Sequence, residues 1–517
     1  MPLTVVEIVR SPRHCSRWLA LTTITVFLLL AATIAQATET LRIPFSSDIS
    51  TLDPDNGFEV AGLSVLDSLY EGLVEYEPGS TRIVGLLATS WVVSKDGLTY
   101  TFRLREGVKF HDGTLMDASA VVTSLDRRRL GKLLQNYTLA NVRAINALDA
   151  STVVISLSKP QPSFLDTLAS PWGPKVISPT PLNEHDKGDG ATDWLTDHAV
   201  GTGPFTLGEF KRGERYSIDR NANYWGHKPY FSKVEFPVVP DIGQQILKLR
   251  AGEIDAIPTN YPFAQLASLP DNLEITTAPS MTQFDAFEKP GSELDNLAVR
   301  KAVLTAVNPA LWADDAFGHY AHVSQSLYPN AMFVPARPLI FPTDMEAAKD
   351  AIAKRGPVAL RIGLYSANPS YGRIADLLIA QLATIGVQAT SYVMPPGSAY
   401  AMKGDPSAPD LLLIIASPDA AHPDNQAKAF LTTGAPLNLY GRKVPEADAI
   451  VDEASTLTEL CRRDELYEKA ARMYFDNGTA IPLVDVDDVV VHVKGLKNLG
   501  LRPVFPRGTI DFATVER

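Results

Sequence analysis

Ligand-capable side chains crowd into one loop. From Ser417 to Asn425 the chain reads Ser-Pro-Asp-Ala-Ala-His-Pro-Asp-Asn, so Asp419, His422 and Asp424 fall close together. A histidine flanked by two carboxylates is a donor set that a divalent metal accepts. Such trios are common in polar loops, and no metal site is assigned here. Asp419 directly follows an apolar run, residues 411–416. If it is held in a cleft, its carboxylate needs a cation to offset lost hydration, and a ligand amine would supply one. The plainer reading is an Asx-turn cap at a strand end. His319 and His322 stand three apart beside Asp314 and Asp315, without the H-E-x-x-H spacing of a zinc site, and read as surface histidines. No G-x-S-x-G elbow, Walker A loop or dinucleotide fingerprint occurs. Cys461, between Leu460 and Arg462-Arg463, lies in a predicted helix with no histidine nearby and is expected to be packed. No catalytic residue, metal or cofactor is therefore assigned, and the chain is expected not to be an enzyme. A secreted hydrolase is the reading kept from another class.

The elements that must position this loop are legible from periodicity. After residue 290 helix and strand patterns alternate. Val299, Ala302, Val303, Ala306 and Val307 share one helical face, and Val358, Leu360, Ile362 and Leu364 alternate as a strand. Ile374, Leu377, Leu378, Leu382 and Ile385 line a second helix, with Gly386 expected as its C-cap. Residues 387–393 and 411–416 read as further strands, the latter fully buried. This grammar predicts an α/β domain with a parallel sheet over about 290–484. In such sheets ligands sit beyond the carboxyl ends of the strands, which singles out residues 365–369 and 417–425. Earlier in the chain, residues 98–110 and 205–218 read as β-hairpins, 118–125 as a helix and 153–157 as a strand. The stretch 171–197, dense in Pro, Gly and Asp, reads as surface loop within a smaller subdomain.

Composition narrows the class. The 517 residues carry 47 Lys+Arg against 59 Asp+Glu, a net charge of −12, and 45% are hydrophobic, which suits two to four packed domains rather than a disordered chain. The acidic balance, with no basic stripe interleaved with aromatics, argues against a nucleic-acid partner. Residues 1–37 read as an export signal: Arg10, Arg13 and Arg17, then an apolar run from Leu19 to Ile34, then Ala35-Gln36-Ala37. The run falls short of the roughly 20 residues that span a bilayer. Cleavage is expected after Ala37, which moves the net charge to −14 and leaves Cys461 as the sole thiol.

Several motifs carry a resemblance. Leu87-Ala88-Thr89-Ser90-Trp91, followed by Asp96-Gly97-Leu98-Thr99-Tyr100 and the run ending His111-Asp112-Gly113, resembles the signature of bacterial solute-binding proteins of the peptide/nickel class, family 5. Ser50-Thr51-Leu52-Asp53-Pro54, Tyr70-Glu71-Gly72-Leu73, Gly201-Thr202-Gly203-Pro204-Phe205, Asn223-Tyr224-Trp225, Ala251-Gly252-Glu253-Ile254-Asp255 and Val299-Arg300-Lys301-Ala302 are similar to its other landmarks, in order.

The resemblance implies an α/β, two-lobed periplasmic binding protein (type II, cluster C-like) with an extra subdomain inserted in the first lobe. The first lobe would comprise 38–82, 200–283 and 485–517, the insertion 83–199, and the second lobe 284–484. It further implies a periplasmic monomer that binds a small peptide or similar solute and delivers it to a membrane-embedded ABC permease with cytoplasmic ATPase subunits. By the same resemblance, Asp419 takes the ligand's α-amine, and His422 lies in the same loop. Backbone groups of Ile415, Ala416 and Ser417, with those of Phe58, Glu59 and Val60, would pair with an extended ligand.

Three departures modify this picture. Ala416 replaces a usual tryptophan, no arginine stands near Tyr365, and Glu288 replaces a common asparagine. These predict a wider, more acidic pocket and a longer, cationic or non-peptide ligand. A metal chelate, an opine or a sugar-phosphate conjugate is the alternative.

Overall fold

The computed structural model describes residues 39–517 apart from 312 and 396, so the expected export signal and the expected cleavage after Ala37 lie outside the described residues. Two long strands organise the molecule. Leu273–Glu288 and Ala480–Val493 run antiparallel, with Leu273 opposite Val493 at one end and Phe287 opposite Ala480 at the other. Near the first end Ala256–Ile257 adds to the sheet, and at the other Leu411–Ala416 does. The register shifts between Ala278 and Thr282. Such an irregularity bends and twists a strand pair, and here it falls where the chain passes from one core to the next.

Those cores are separate. The largest draws its buried side chains only from residues 284–486. A second gathers residues 63–176 with Met281, Val504 and Phe505, and a third collects 41–70, 177–256 and 490–515. The third core carries a four-stranded sheet in the order Thr40–Arg42, Lys233–Pro237, Arg215–Arg220, Phe205–Lys211. The second carries an antiparallel sheet in the order Ala88–Val93, Thr99–Leu104, Thr152–Leu157, Val142–Asp149.

The alternation read after residue 290 is present. Ala359–Leu364 pairs in parallel with both Gln388–Val393 and Leu411–Ala416. The last of these lies inside the sheet, with Leu411 to Ile414 and Ala416 buried. Each of the leucine and isoleucine side chains contributes about 1.5–3 kcal/mol through burial, and the alanine less. Helix Pro369–Ala383 begins at Asn368, whose side chain accepts from Ser370 N at 2.9 Å, and it buries Ile374, Leu378 and Leu382. Its cap residue is Thr384. Gly386, expected there, lies two residues on at φ +86°, where it turns the chain into Gln388–Val393. That strand is exposed along most of its length because it forms the sheet edge.

Three further expectations change. Thr99–Leu104 pairs with the preceding strand Ala88–Val93 and with Thr152–Leu157, so residues 108–110 form no hairpin arm with it. The 171–197 stretch contains two short helices, Pro179–Glu184 and Thr192–Leu195. Cys461 is exposed in the first turn of helix Leu460–Asp476 because it lies off the buried face that Leu466, Tyr467, Ala470 and Ala471 define.

Candidate functional site

A cavity of ≈ 610 Å³ opens between the second lobe and the rest of the molecule. Phe58, Glu59 and Val60 line it from the first lobe, where they lead into helix Val60–Leu69. Ile415, Ser417 and Asp419 line it from the end of the central strand of the second lobe. The loop that the rule for α/β sheets singles out at 417–425 therefore contributes to the lining of this cavity.

Asp419 is half-buried. Its Oδ2 accepts from the Tyr137 hydroxyl at 2.7 Å, and its backbone carbonyl accepts from Ser170 Oγ at 2.6 Å, both from the inserted subdomain. Among the described residues no cationic side chain pairs with it. Burial pushes its carboxyl above the ordinary aspartate value, and the Tyr137 hydrogen bond opposes this. An ionised Asp419 is therefore short of positive charge on the side that faces the cavity. An ammonium group placed there would meet one.

Other expected residues lie elsewhere. Glu288 pairs with Leu411 in the sheet while Gln283 pairs with Ala416, which sets Glu288 five residues from the cavity end, roughly 17 Å along the strand. It is 1% exposed and gripped by Arg300, whose Nε donates to its carboxylate at 2.9 Å and 3.0 Å. Tyr365 faces Tyr400, their hydroxyls 3.1 Å apart. Its loop reaches the cavity through Asn368, which donates to Asn260 Oδ1 across the lobes at 2.9 Å. His422 is buried behind the loop. Its Nδ1 accepts from Asp424 N at 3.1 Å as a helix cap, and burial, with Arg463 and Lys428 nearby, lowers it to about 3, so it is neutral. Ala416 is buried in the sheet, and the Ile415 N–H already donates to the Tyr371 hydroxyl at 3.0 Å, which leaves that donor unavailable to an extended ligand. No group of three or more His, Cys, Asp or Glu that could hold a metal ion occurs among the described residues.

Much of the lining went unread in the sequence, including an aromatic residue and a cation. Trp172 stacks on Phe58, ring centroids 4.8 Å apart, so the aromatic wall comes from the inserted subdomain instead of from position 416. Arg507 enters from the C-terminal segment. The charged lining is Glu59, Asp419 and Arg507, and Glu288, from which a more acidic pocket was expected, is not part of it. Trp172 lies in a stretch read only as loop, and nothing in the local pattern around Arg507 marks it. A second cavity, of ≈ 590 Å³, lies within the first lobe, where Arg502 pairs with Glu75 and Asp511, and Lys175 with Asp67.

The motif residues meet in the first lobe, away from the cleft. Glu71 accepts from Thr202 Oγ at 2.7 Å, the Tyr224 hydroxyl at 2.7 Å and Trp225 Nε1 at 2.9 Å, joining three sequence landmarks in one buried knot. Burial raises Glu71 to about 7. Asp53 and Asp55 bind Arg127 and Arg128 of helix Ala118–Leu130, anchoring the inserted subdomain to the first lobe.

Separate cores, joined by two continuous strands around a cavity that both lobes line, define a receptor class that encloses a solute between its lobes. Residues 82–437 match the profile of the bacterial extracellular solute-binding proteins, family 5 Middle, and the chain belongs to that family. The glutathione-binding protein GsiB of Escherichia coli O6:K15:H31 (strain 536 / UPEC) is 28% identical over 493 residues, covering 92% of this chain and 94% of its own. Among solved structures, the periplasmic binding protein DppA from Helicobacter pylori, in complex with peptide STSA, superposes with a TM-score of 0.76 at 22% identity, covering 92% of this chain and 98% of that one. The substrate-binding protein CtaP from Listeria monocytogenes does so with a TM-score of 0.81 at 21% identity, covering 92% and 99%. At these identities the structural likeness shows the fold.

Proposed function

We propose that the protein is the periplasmic receptor of an ABC importer for small peptides, with Asp419 receiving the ligand's α-amine. The observation that carries this is a half-buried carboxylate in an inter-lobe cavity with no cationic partner of its own. Relatives whose names describe glutathione binding or complexes with short peptides support the ligand class. The ligand would touch both lobes and favour the closed form by contacts that the open form lacks. The receptor would then deliver it, as a monomer, to a membrane permease driven by cytoplasmic ATPase subunits. No chemistry on the ligand is needed.

The same reading divides the chain as 38–82, 200–283 and 485–517 for the first lobe, 83–199 for the insertion and 284–484 for the second lobe. The core drawn from residues 284–486 supports the second lobe, while the core around the insertion also takes Leu63, Leu73, Val74 and Tyr76, and the first-lobe core takes Ile177, Leu182, Ala191 and Leu195 from the insertion. It also has the export signal removed after Ala37, which the intact mass of protein recovered from the periplasm tests directly. Isothermal titration of the mature protein with glutathione and a panel of di- to pentapeptides tests the function. Micromolar or tighter binding that N-acetylation of the ligand abolishes is the expected result, and absence of binding across the panel would overturn the reading.

A further inference from the structure

Arg507 is the cavity's counterpart to Asp419. It reaches the cleft from the chain's last segment, between Pro506 and Gly508, and that segment is closely held. Gly508 sits at φ +80°, and a Cβ there would lie 2.4 Å from the carbonyl oxygen of Pro258 and 2.4 Å from Thr259 Cγ2, so only glycine fits. Its N–H donates to both oxygens of Asp488, at 2.9 Å and 3.0 Å. Asp488, the acid that acts most strongly on Arg507, is thus engaged by backbone, and it forms no ion pair with the Arg507 side chain. Its guanidinium carbon lies 5.4 Å from the centroid of the Phe263 ring. Its Nε is buried without a hydrogen-bond partner, and among the described residues the side chain makes no hydrogen bond and no ion pair. Asp487 and Asp488 act on it only at a distance.

A guanidinium carries five donors arranged to take a carboxylate by two of them. Leaving such a group desolvated without an anion is costly, and the cost is relieved when an anion arrives. Glu59, the other acid on this wall, already accepts from the Ser50 hydroxyl.

We propose that Arg507 is a specificity-determining residue of this cleft, receiving a carboxylate of the bound solute while Asp419 receives its amine. The inference rests on the reading of the cleft as a peptide site. It places the cation on the first lobe, whereas the second-lobe loop around Tyr365 carries none. Amine and carboxylate are then held by opposite lobes, and a ligand with both bridges them. Removing either charge from the ligand weakens closure as well as contact.

The test compares tri-alanine with its C-terminal amide, and glutathione with its diethyl ester, by isothermal titration against the wild-type mature protein and the variants R507Q and R507K. For whichever acid binds, masking the carboxylates is expected to weaken binding by about ten- to a hundredfold, the worth of a charged hydrogen-bonded pair. R507Q is expected to bring acid and masked forms to similar affinities, and R507K to keep part of the preference. Thermal melts of the variants check folding, and the wild-type acid-to-masked ratio needs no variant. Equal affinity of acid and masked forms in the wild type, or an unchanged ratio in R507Q, would overturn this inference and leave the peptide reading standing. Failure of every probe to bind would overturn both.

Discussion

Glu288 and Asp419 are both acids at the margins of the central strand Leu411–Ala416, one at each end, and they live in opposite electrostatic circumstances. Glu288 is sealed from water and ion-paired with Arg300, which opposes the upward push of burial on its carboxyl and also donates to the Phe475 carbonyl at 2.5 Å. Asp419 has surrendered part of its hydration and received only a tyrosine hydroxyl in return. The first arrangement is complete without a ligand. In the proposed function a ligand amine completes the second. A charged residue near a sheet end is therefore informative about function only when its partners are known.

The contrast is breakable at both ends. The largest effect is expected from Glu288→Gln, which leaves Arg300 buried and unpaired. Unfolding in urea should show a loss of about 3–5 kcal/mol, with ligand affinity unchanged in the protein that remains folded. Preserved stability would mean that the pair is not compensating.

Asp419→Asn should do the reverse. Stability should stay within about 0.5 kcal/mol, while affinity for an amine-bearing peptide falls by about 1.5–3 kcal/mol in titration calorimetry. An unchanged affinity would remove Asp419 from the site.

His422 has a structural role in the loop, distinct from the binding role proposed for Asp419. Its folded-state value is depressed to about 3 from 6.5, so the unfolded chain takes up a proton first as pH falls. Its contribution to stability is full above about 6.5 and is lost below it at about 1.4 kcal/mol per pH unit, until about 3. Asp166 and Asp485, raised by burial to about 7, act in the opposite sense, since they favour the folded state as pH falls. His422→Asn keeps a capping side chain and removes the titration, so a denaturation series between pH 6.5 and 4 should show the variant losing less stability than wild type. Parallel curves would place the acid sensitivity elsewhere.

The smallest effect is expected from Tyr137→Phe. It deletes the hydroxyl that links the inserted subdomain to Asp419, and should cost about 1 kcal/mol or less of stability. It should also raise the affinity for an amine slightly, since the carboxylate then has no competing donor. A weakened affinity measured by calorimetry would instead make Tyr137 a contact that positions Asp419.

Much of the architecture was readable because it rests on local rules. Alternation predicted Ala359–Leu364, an unbroken apolar run predicted the buried strand Leu411–Ala416, and the helical face of Ile374, Leu378 and Leu382 predicted Pro369–Ala383. The family landmarks were equally visible, and the structure explains what they do: Glu71 ties Thr202, Tyr224 and Trp225 together across separations of 131 to 154 positions. These residues hold the scaffold. They say which family the chain belongs to without touching the cleft.

What the sequence by itself determined was the α/β grammar, the solute-binding family and the loop at 417–425, since period, turn chemistry and strand direction are local properties. Which charges the cleft keeps was decided only in three dimensions. Glu288 was drawn away by an arginine twelve residues on, Trp172 supplied the aromatic wall from an inserted subdomain, and Arg507 arrived from the far end of the chain. A charge becomes functional or structural according to the counter-charge that packing brings within a few ångströms, and that distance depends on contacts between residues far apart in the chain.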